Sequence, residues 1–171
     1  DFDACVDDLV ATLAATGHAS AHWLGYSMGA RLALACAVRH PARVRSLVLL
    51  AGRAGIADPA ERMARRRADE TLAARIEERG VEAFVDEWLA QPLFATLTRL
   101  GPEFMARERA ARLANDARGL ASSLRALGPA AQPPLFGALR RVNAPVLLVA
   151  GELDTRFVAA AHELARRLPR A

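Results

Sequence analysis

The stretch Gly25-Tyr26-Ser27-Met28-Gly29 places a serine hydroxyl two residues from a glycine on either side. A serine hydroxyl is a weak nucleophile and a weak base by itself. It works when an imidazole orients it, and that imidazole is usually held by a carboxylate. Asp154 fits the carboxylate: it closes the turn Gly151-Glu152-Leu153-Asp154 just past an apolar run, where catalytic groups collect in parallel sheets. Glu152 is the rival acid and reads as a loop residue. Asp154 has a second reading as the N-cap of the helix that follows, a role aspartate fills well.

The flanks of Ser27 give the motif its meaning. Ala19 to Leu24 is short and largely apolar, as a strand is, and Ala30 to Val38 is rich in helix formers. Strand, sharp turn and helix make a nucleophile elbow; the same letters in a loop would be a chance match. Such a turn is strained and crowded, so Gly25 and Gly29 are expected to be small for steric reasons. It lifts the Ser27 hydroxyl above the sheet edge and aims the Met28 N–H at a forming oxyanion, with the helix dipole behind it.

The rest of the chain supplies a scaffold. Cys5, Val6, Leu9, Val10 and Leu13 recur at helical spacing, which predicts a helix over Asp3 to Ala15. The elbow helix runs to Arg39 and stops at His40-Pro41, because a residue before proline avoids the α region. Val44 to Leu50 and Val146 to Ala150 read as buried parallel strands, and Phe157 to Leu168 as the last helix. Between Asp58 and Leu127 no strand is evident. Helices are expected over Ala60 to Arg79, Val81 to Leu89, Pro102 to Ala117 and Leu120 to Leu127, punctuated by Gly80, Gln91-Pro92, Gly101-Pro102 and Gly128-Pro129. A short helix or turn follows Gln132-Pro133-Pro134. The alternation predicts an α/β fold with a mostly parallel sheet flanked by helices and an inserted helical cap. The expected division is 1–56 (core with the elbow), 57–131 (cap) and 132–171 (core with the acid). No internal repeat is present.

Composition narrows the function classes. The 171 residues suffice for one real core, and no run of 18 apolar residues predicts a membrane span. All 23 basic residues are arginine, a coding bias rather than a functional sign. The stretch 56–130 holds as many acids as arginines, so the net charge of +4 lies entirely outside it. No basic stripe interleaved with aromatics points to nucleic acid. Cys5 and Cys36 have no metal-ligand or disulfide-framework spacing, which fits a reducing cytoplasm. No metal or cofactor is expected, and a monomer is the expectation for oligomeric state.

The histidine is the missing piece. In α/β-hydrolase folds the chain order is serine, acid, histidine. His18 and His22 precede Ser27. His40 stands at the far end of the elbow helix, about 18 Å along its axis, and His162 lies on a helix that packs on the sheet. The catalytic histidine is therefore expected beyond Ala171, and a second oxyanion donor before Asp1. The chain opens inside a helical pattern and reads as incomplete, so the 171 residues alone are expected to be inactive.

The sequence resembles the 2-succinyl-6-hydroxy-2,4-cyclohexadiene-1-carboxylate synthase family of menaquinone biosynthesis, an α/β-hydrolase-fold family. The likeness rests on Gly25 to Gly29, Ala60-Glu61-Arg62 with Arg65 to Asp69, Phe84 to Trp88, and Gln91 to Phe94. Arg112 with Asn115, Leu120 to Leu127, Gln132-Pro133 and Gly151 to Phe157 complete it. The elbow and the Gly-Glu-x-Asp turn are widespread; the cap pattern is the specific part. Ala30 departs from a usual second glycine, as Gly128-Pro129-Ala130-Ala131 does from Gly-Thr-Gly. The resemblance implies a lyase: a Ser-His-Asp triad abstracts a proton and pyruvate is eliminated. It implies Ser27 and Asp154 as catalytic, Met28 as backbone oxyanion donor, and Tyr26, Arg31, Arg65, Trp88 and Arg112 as substrate-binding. The partner is then a small molecule with several carboxylates, which arginine pairs bidentately.

Each binding residue also has a plainer reading. Arg31 and Arg65 sit on helices where arginines are usually solvated, Arg112 can pair with Glu108 one turn back, and Trp88 can anchor the cap beside Phe84 and Val85. Tyr26 adjoins the serine. Two other functions remain open at this point. A general ester or thioester hydrolase would not need Arg65 or Arg112, and a non-catalytic binding protein would lack the histidine.

Overall fold

The computed structural model describes residues 1–171, the whole chain. Three parallel strands, β1 (Ala21–Tyr26), β2 (Val44–Leu50) and β3 (Val146–Val149), form a sheet in the order β1-β2-β3. Register pairs Tyr26 with Leu50 and Leu50 with Val149, so the carboxyl ends of all three strands finish level. The ladder continues past them: Ser27 N–H donates to the Leu50 carbonyl and Ala51 N–H to that of Val149, each at 2.9 Å.

Helices α1 (Phe2–Ala15), α2 (Met28–Arg39) and α6 (Thr155–Arg167) complete this layer. Asp1 starts α1, its carboxylate accepting from Ala4 N–H at 2.8 Å. α2 is buried continuously from Ala30 to Ala37, its alanines letting neighbouring elements approach closely. It ends at His40, whose N–H still reaches the Cys36 carbonyl before Pro41 turns the chain. Asp7 of α1 accepts from Arg39 and His40 at the end of α2. Burial pushes the Cys36 thiol up to about 11, so it behaves as a core residue.

The core is one cluster in which Leu47, Leu49 and Val146 of the sheet meet Val6, Leu34, Leu139 and Leu164. Each such large side chain contributes about 1.5–3 kcal/mol by leaving water. Strand alternation sends the other set outward: Leu24, Leu147 and Val149 are exposed at 75%, 59% and 38%.

The chain divides into two compact units, 1–65 with 127–171, and 66–126. Arg65 and Leu127 thus belong with the sheet, inside the segment expected as 57–131. The second unit is helical. α3 (Pro59–Leu89) is interrupted at Gly80, where φ is +80°, which glycine tolerates; this is the break read between Arg79 and Val81. A 3-10 segment, Pro92–Leu100, is an addition to the expected elements. α4 spans Pro102–Leu113 and α5 Ala117–Leu127. The helix expected to reach Ala117 stops sooner because Asp116 starts a new one, its carboxylate accepting from Gly119 N–H at 2.7 Å. No helix is long and apolar enough to cross a membrane.

Candidate functional site

Ser27 sits between β1 and α2 with φ +51° and ψ −105°, a conformation costly for a residue with a side chain. The serine is exposed. A Cβ at Gly25 would lie 2.4 Å from the Gly29 carbonyl carbon and oxygen, whereas one at Gly29 would meet nothing within 4 Å. The expectation for Gly29 is thereby corrected: its backbone, not its missing side chain, does the crowding, and Gly25 alone must be glycine. Ala30 is fully buried, and a Cβ on Gly52 would come within 3.1 Å of its methyl. The usual glycine's space is thus filled by Ala30 and left free at Gly52. Met28 takes the first helical position, so its N–H has no partner one turn earlier within α2.

A cavity of about 110 Å³ opens beside Ser27, lined by Arg31, Ala51, Arg53, Arg65, Pro129, Arg156 and Phe157. Every lining residue belongs to the sheet unit. Four arginines and no carboxylate make its wall. Arg31 departs from the plain reading of a solvated helix residue. It is 7% exposed, and its guanidinium donates to the Leu127 carbonyl at 2.6 Å and the Gly128 carbonyl at 3.3 Å. Arg65 is half-buried at the same cavity.

Arg53 and Arg156 escaped the sequence reading. Arg53 follows β2 after Ala51, itself at φ +51°; its Nε donates to the Gly55 carbonyl at 3.2 Å. Burial holds its guanidinium below the usual arginine range, Arg156 and Arg65 push it the same way, and Glu61 and Glu163 oppose them. The available signal was topological: residues just past adjacent parallel strands converge at one sheet edge, and Arg53 lies three past Leu50 as Ser27 lies one past Tyr26.

Asp154 caps α6, its Oδ1 accepting from Phe157 N–H at 3.2 Å. It lies past β3, two strands from Ser27, which sets the strand ends about 10 Å apart. It does not line the serine cavity, though its neighbours Arg156 and Phe157 do. Glu152 is exposed in the same turn. Tyr26 is 64% exposed beside the serine. No histidine lines the cavity. His22 bonds Ser46 at 2.7 Å and His40 bonds Asp7 at 2.7 Å, and His18 and His162 are exposed. No group of three or more His, Cys, Asp or Glu is arranged to hold a metal.

Trp88 and Arg112 lie in the helical unit, where each satisfies its plainer reading. Trp88 stacks obliquely between Phe84 and Phe94, both centroids at 5.6 Å. Arg112 donates to the Glu108 carboxylate at 2.5 Å and sits over the Phe94 ring at 5.8 Å.

Comparison with known proteins places this geometry among relatives. A protein of Bacillus subtilis (strain 168) is 41% identical over 146 residues, covering 85% of this chain and 53% of that protein. The 2-succinyl-6-hydroxy-2,4-cyclohexadiene-1-carboxylate synthase of Enterobacter sp. (strain 638) is 36% identical over 143 residues, 83% of this chain and 54% of its own length. The structure of MenH from S. aureus superposes with a TM-score of 0.93 at 32% identity, covering 99% of this chain and 64% of that one. The chain therefore spans about half the length of the curated relatives it matches. The sequence pattern of the alpha/beta hydrolase fold matches residues 1–171 throughout. With the parallel sheet, the strained serine turn and the acid past the third strand, this places the chain in the alpha/beta hydrolase fold family.

Proposed function

We propose that Ser27 serves a lyase that eliminates pyruvate from 2-succinyl-5-enolpyruvyl-6-hydroxy-3-cyclohexene-1-carboxylate, giving 2-succinyl-6-hydroxy-2,4-cyclohexadiene-1-carboxylate. The observation that carries this reading is the serine cavity walled by four arginines and no acid. An ester hydrolase has little use for such a wall; a substrate with three carboxylates does, since each can take a bidentate guanidinium pair. The relatives named for this synthase support the same choice.

In this reading Ser27 acts with an imidazole as the base that removes a ring proton. The electrons of the breaking C–H bond form a new ring double bond, the existing ring double bond shifts one position toward the carbon bearing the enolpyruvyl group, the C–O bond there breaks, and pyruvate leaves as its enolate. Asp154 orients the imidazole, using the oxygen that does not cap α6. Met28 N–H supports developing negative charge. The imidazole must stand between Ser27 and Asp154, and residues 1–171 bring none there. The lyase acts as a soluble catalyst without metal or cofactor.

The test is pyruvate release from that intermediate by the protein expressed from its whole gene. Ser27→Ala is expected to reduce kcat about a hundredfold or more, the usual scale for losing a proton-transfer group. Asp154→Asn separates its two roles. Asparagine caps a helix as well as aspartate, so stability should hold while kcat falls by a similar factor. Unchanged turnover in either variant would remove that residue from the mechanism; brisk ester hydrolysis without pyruvate release would favour a hydrolase.

A further inference from the structure

Arg31 and Arg53 both line the serine cavity, yet their guanidinium groups are committed differently. Arg31 donates through both terminal nitrogens to backbone carbonyls, so holding the chain at 127–128 is part of its work. Arg53 uses only Nε, on Gly55. Its two terminal nitrogens have no hydrogen-bond partner in the protein, and no carboxylate is ion-paired to it. Arg156, which lines the same cavity, likewise makes no hydrogen bond or ion pair within the protein. A second cavity of about 520 Å³ is also lined by these two residues and by Phe157. That cavity carries the acids Asp58, Glu61 and Glu163 as well as Arg166. Arg53 and Arg156 are thus shared between a mixed-charge cavity and one whose charged lining residues are all arginine.

We propose that Arg53 and Arg156 form a carboxylate-binding position beside Ser27, in addition to the arginines implied by the family resemblance. It rests on the lyase reading for the identity of the anion, and it stands on the cavity for its location. Two unpaired guanidinium groups lining one cavity repel each other, and a carboxylate between them relieves the repulsion while accepting up to four N–H bonds. The depressed proton affinity of Arg53, from burial first and from Arg156 and Arg65 beside it, accords with that unrelieved crowding. Phe157 gives the same cavity one apolar lining face, while Arg156 is exposed and Arg53 half-buried. Arg53 is therefore a specificity-determining residue: it selects a substrate that presents a carboxylate within reach of the serine.

The experiment titrates the whole-gene protein with tricarballylate, an unreactive tricarboxylate, by calorimetry, and in parallel measures KM and kcat for pyruvate release. Arg53→Gln and Arg156→Gln are each expected to weaken tricarballylate about tenfold, the scale of one charge-assisted pair. KM should rise by a similar factor with kcat changed less than about threefold. Arg53→Lys should recover only part of the loss, because an ammonium cannot pair bidentately. Arg166→Gln, which touches only the neighbouring cavity, is the control and should bind as the parent does. Circular dichroism melting reports whether each variant is folded. A folded Arg53→Gln protein with parental tricarballylate affinity overturns the proposal, as does a parent that binds no tricarballylate. A parent that binds tricarballylate in an Arg53-dependent way but releases no pyruvate keeps this anion position and sinks the lyase reading.

Discussion

Gly25 bears the steric demand of the serine turn. An added methyl there would sit 2.4 Å from backbone atoms of Gly29, and backbone at the start of a buried helix has nowhere to go. Gly25→Ala is expected to destabilise the protein by about 3 kcal/mol, at the upper end of overpacking costs. Gly29→Ala meets open space within a helix and should change stability by less than about 1 kcal/mol, with alanine's helix propensity favouring a gain. Urea unfolding of the pair checks the asymmetry; equal losses would restore Gly29 as a steric partner. The turn itself was legible because its five-residue pattern is local. The asymmetry was not, because it depends on how α2 doubles back over β1. Arg53 was hidden for a related reason: nothing in its spacing from Ser27 announces that the two turns share one sheet edge. Arg31 was misjudged in its plainer reading, since helical position cannot reveal that carbonyls 96 and 97 residues away will receive its guanidinium.

Among the elements, strands were the most readable. Val44–Leu50 appears where its apolar run predicted, and β1 is displaced only by two residues, starting at Ala21. The helical segment was readable in its breaks, since Gly80 and Gly101-Pro102 interrupt it as expected. The end of α4 was not, because one aspartate side chain decided it. Between the helices of the second unit the ion pairs are concentrated on arginine forks. Arg125 of α5 pairs with Glu70 and Glu77, which lie two turns apart on α3. Hydrogen bonding to Arg125 is the main reason both carboxyls titrate below their ordinary 4.5. A carboxyl with a lowered folded pKa stabilises the fold above its unfolded value, and that contribution disappears as pH falls through the folded value. Arg125→Gln should therefore lower the melting temperature at pH 7 only slightly, by about 2 °C for exposed pairs. The gap to the parent should close as pH falls below 4.5. A gap that persists at pH 2.5 would assign the loss to packing of the arginine stem instead.

At the scale of the whole chain, the sheet is apolar on both sides but buried on one. Leu47 and Leu49 are 1% exposed, while Leu24 and Leu147, on the opposite side, are 75% and 59% exposed. In this chain Leu24→Thr and Leu147→Thr should each alter unfolding free energy by less than about 0.5 kcal/mol. Leu49→Ala should cost about 2–5 kcal/mol. A loss at Leu24 as large as that at Leu49 would mean the outer side is covered in solution. Continuous apolar runs alternating with helical segments announce a parallel sheet, which is why the fold class was legible; they say nothing of which side a given helix covers.

The bond from the Ser27 amide to the Leu50 carbonyl has a consequence for motion. Although Ser27 occupies an exposed turn, its amide hydrogen is held in the ladder of the central strand. The turn cannot fluctuate as loops do, in nanoseconds and alone. Its solvent exchange waits on the opening of the sheet, on the slow timescale of cooperative unfolding. The hydroxyl is thus presented to solvent by a backbone as long-lived as the core itself.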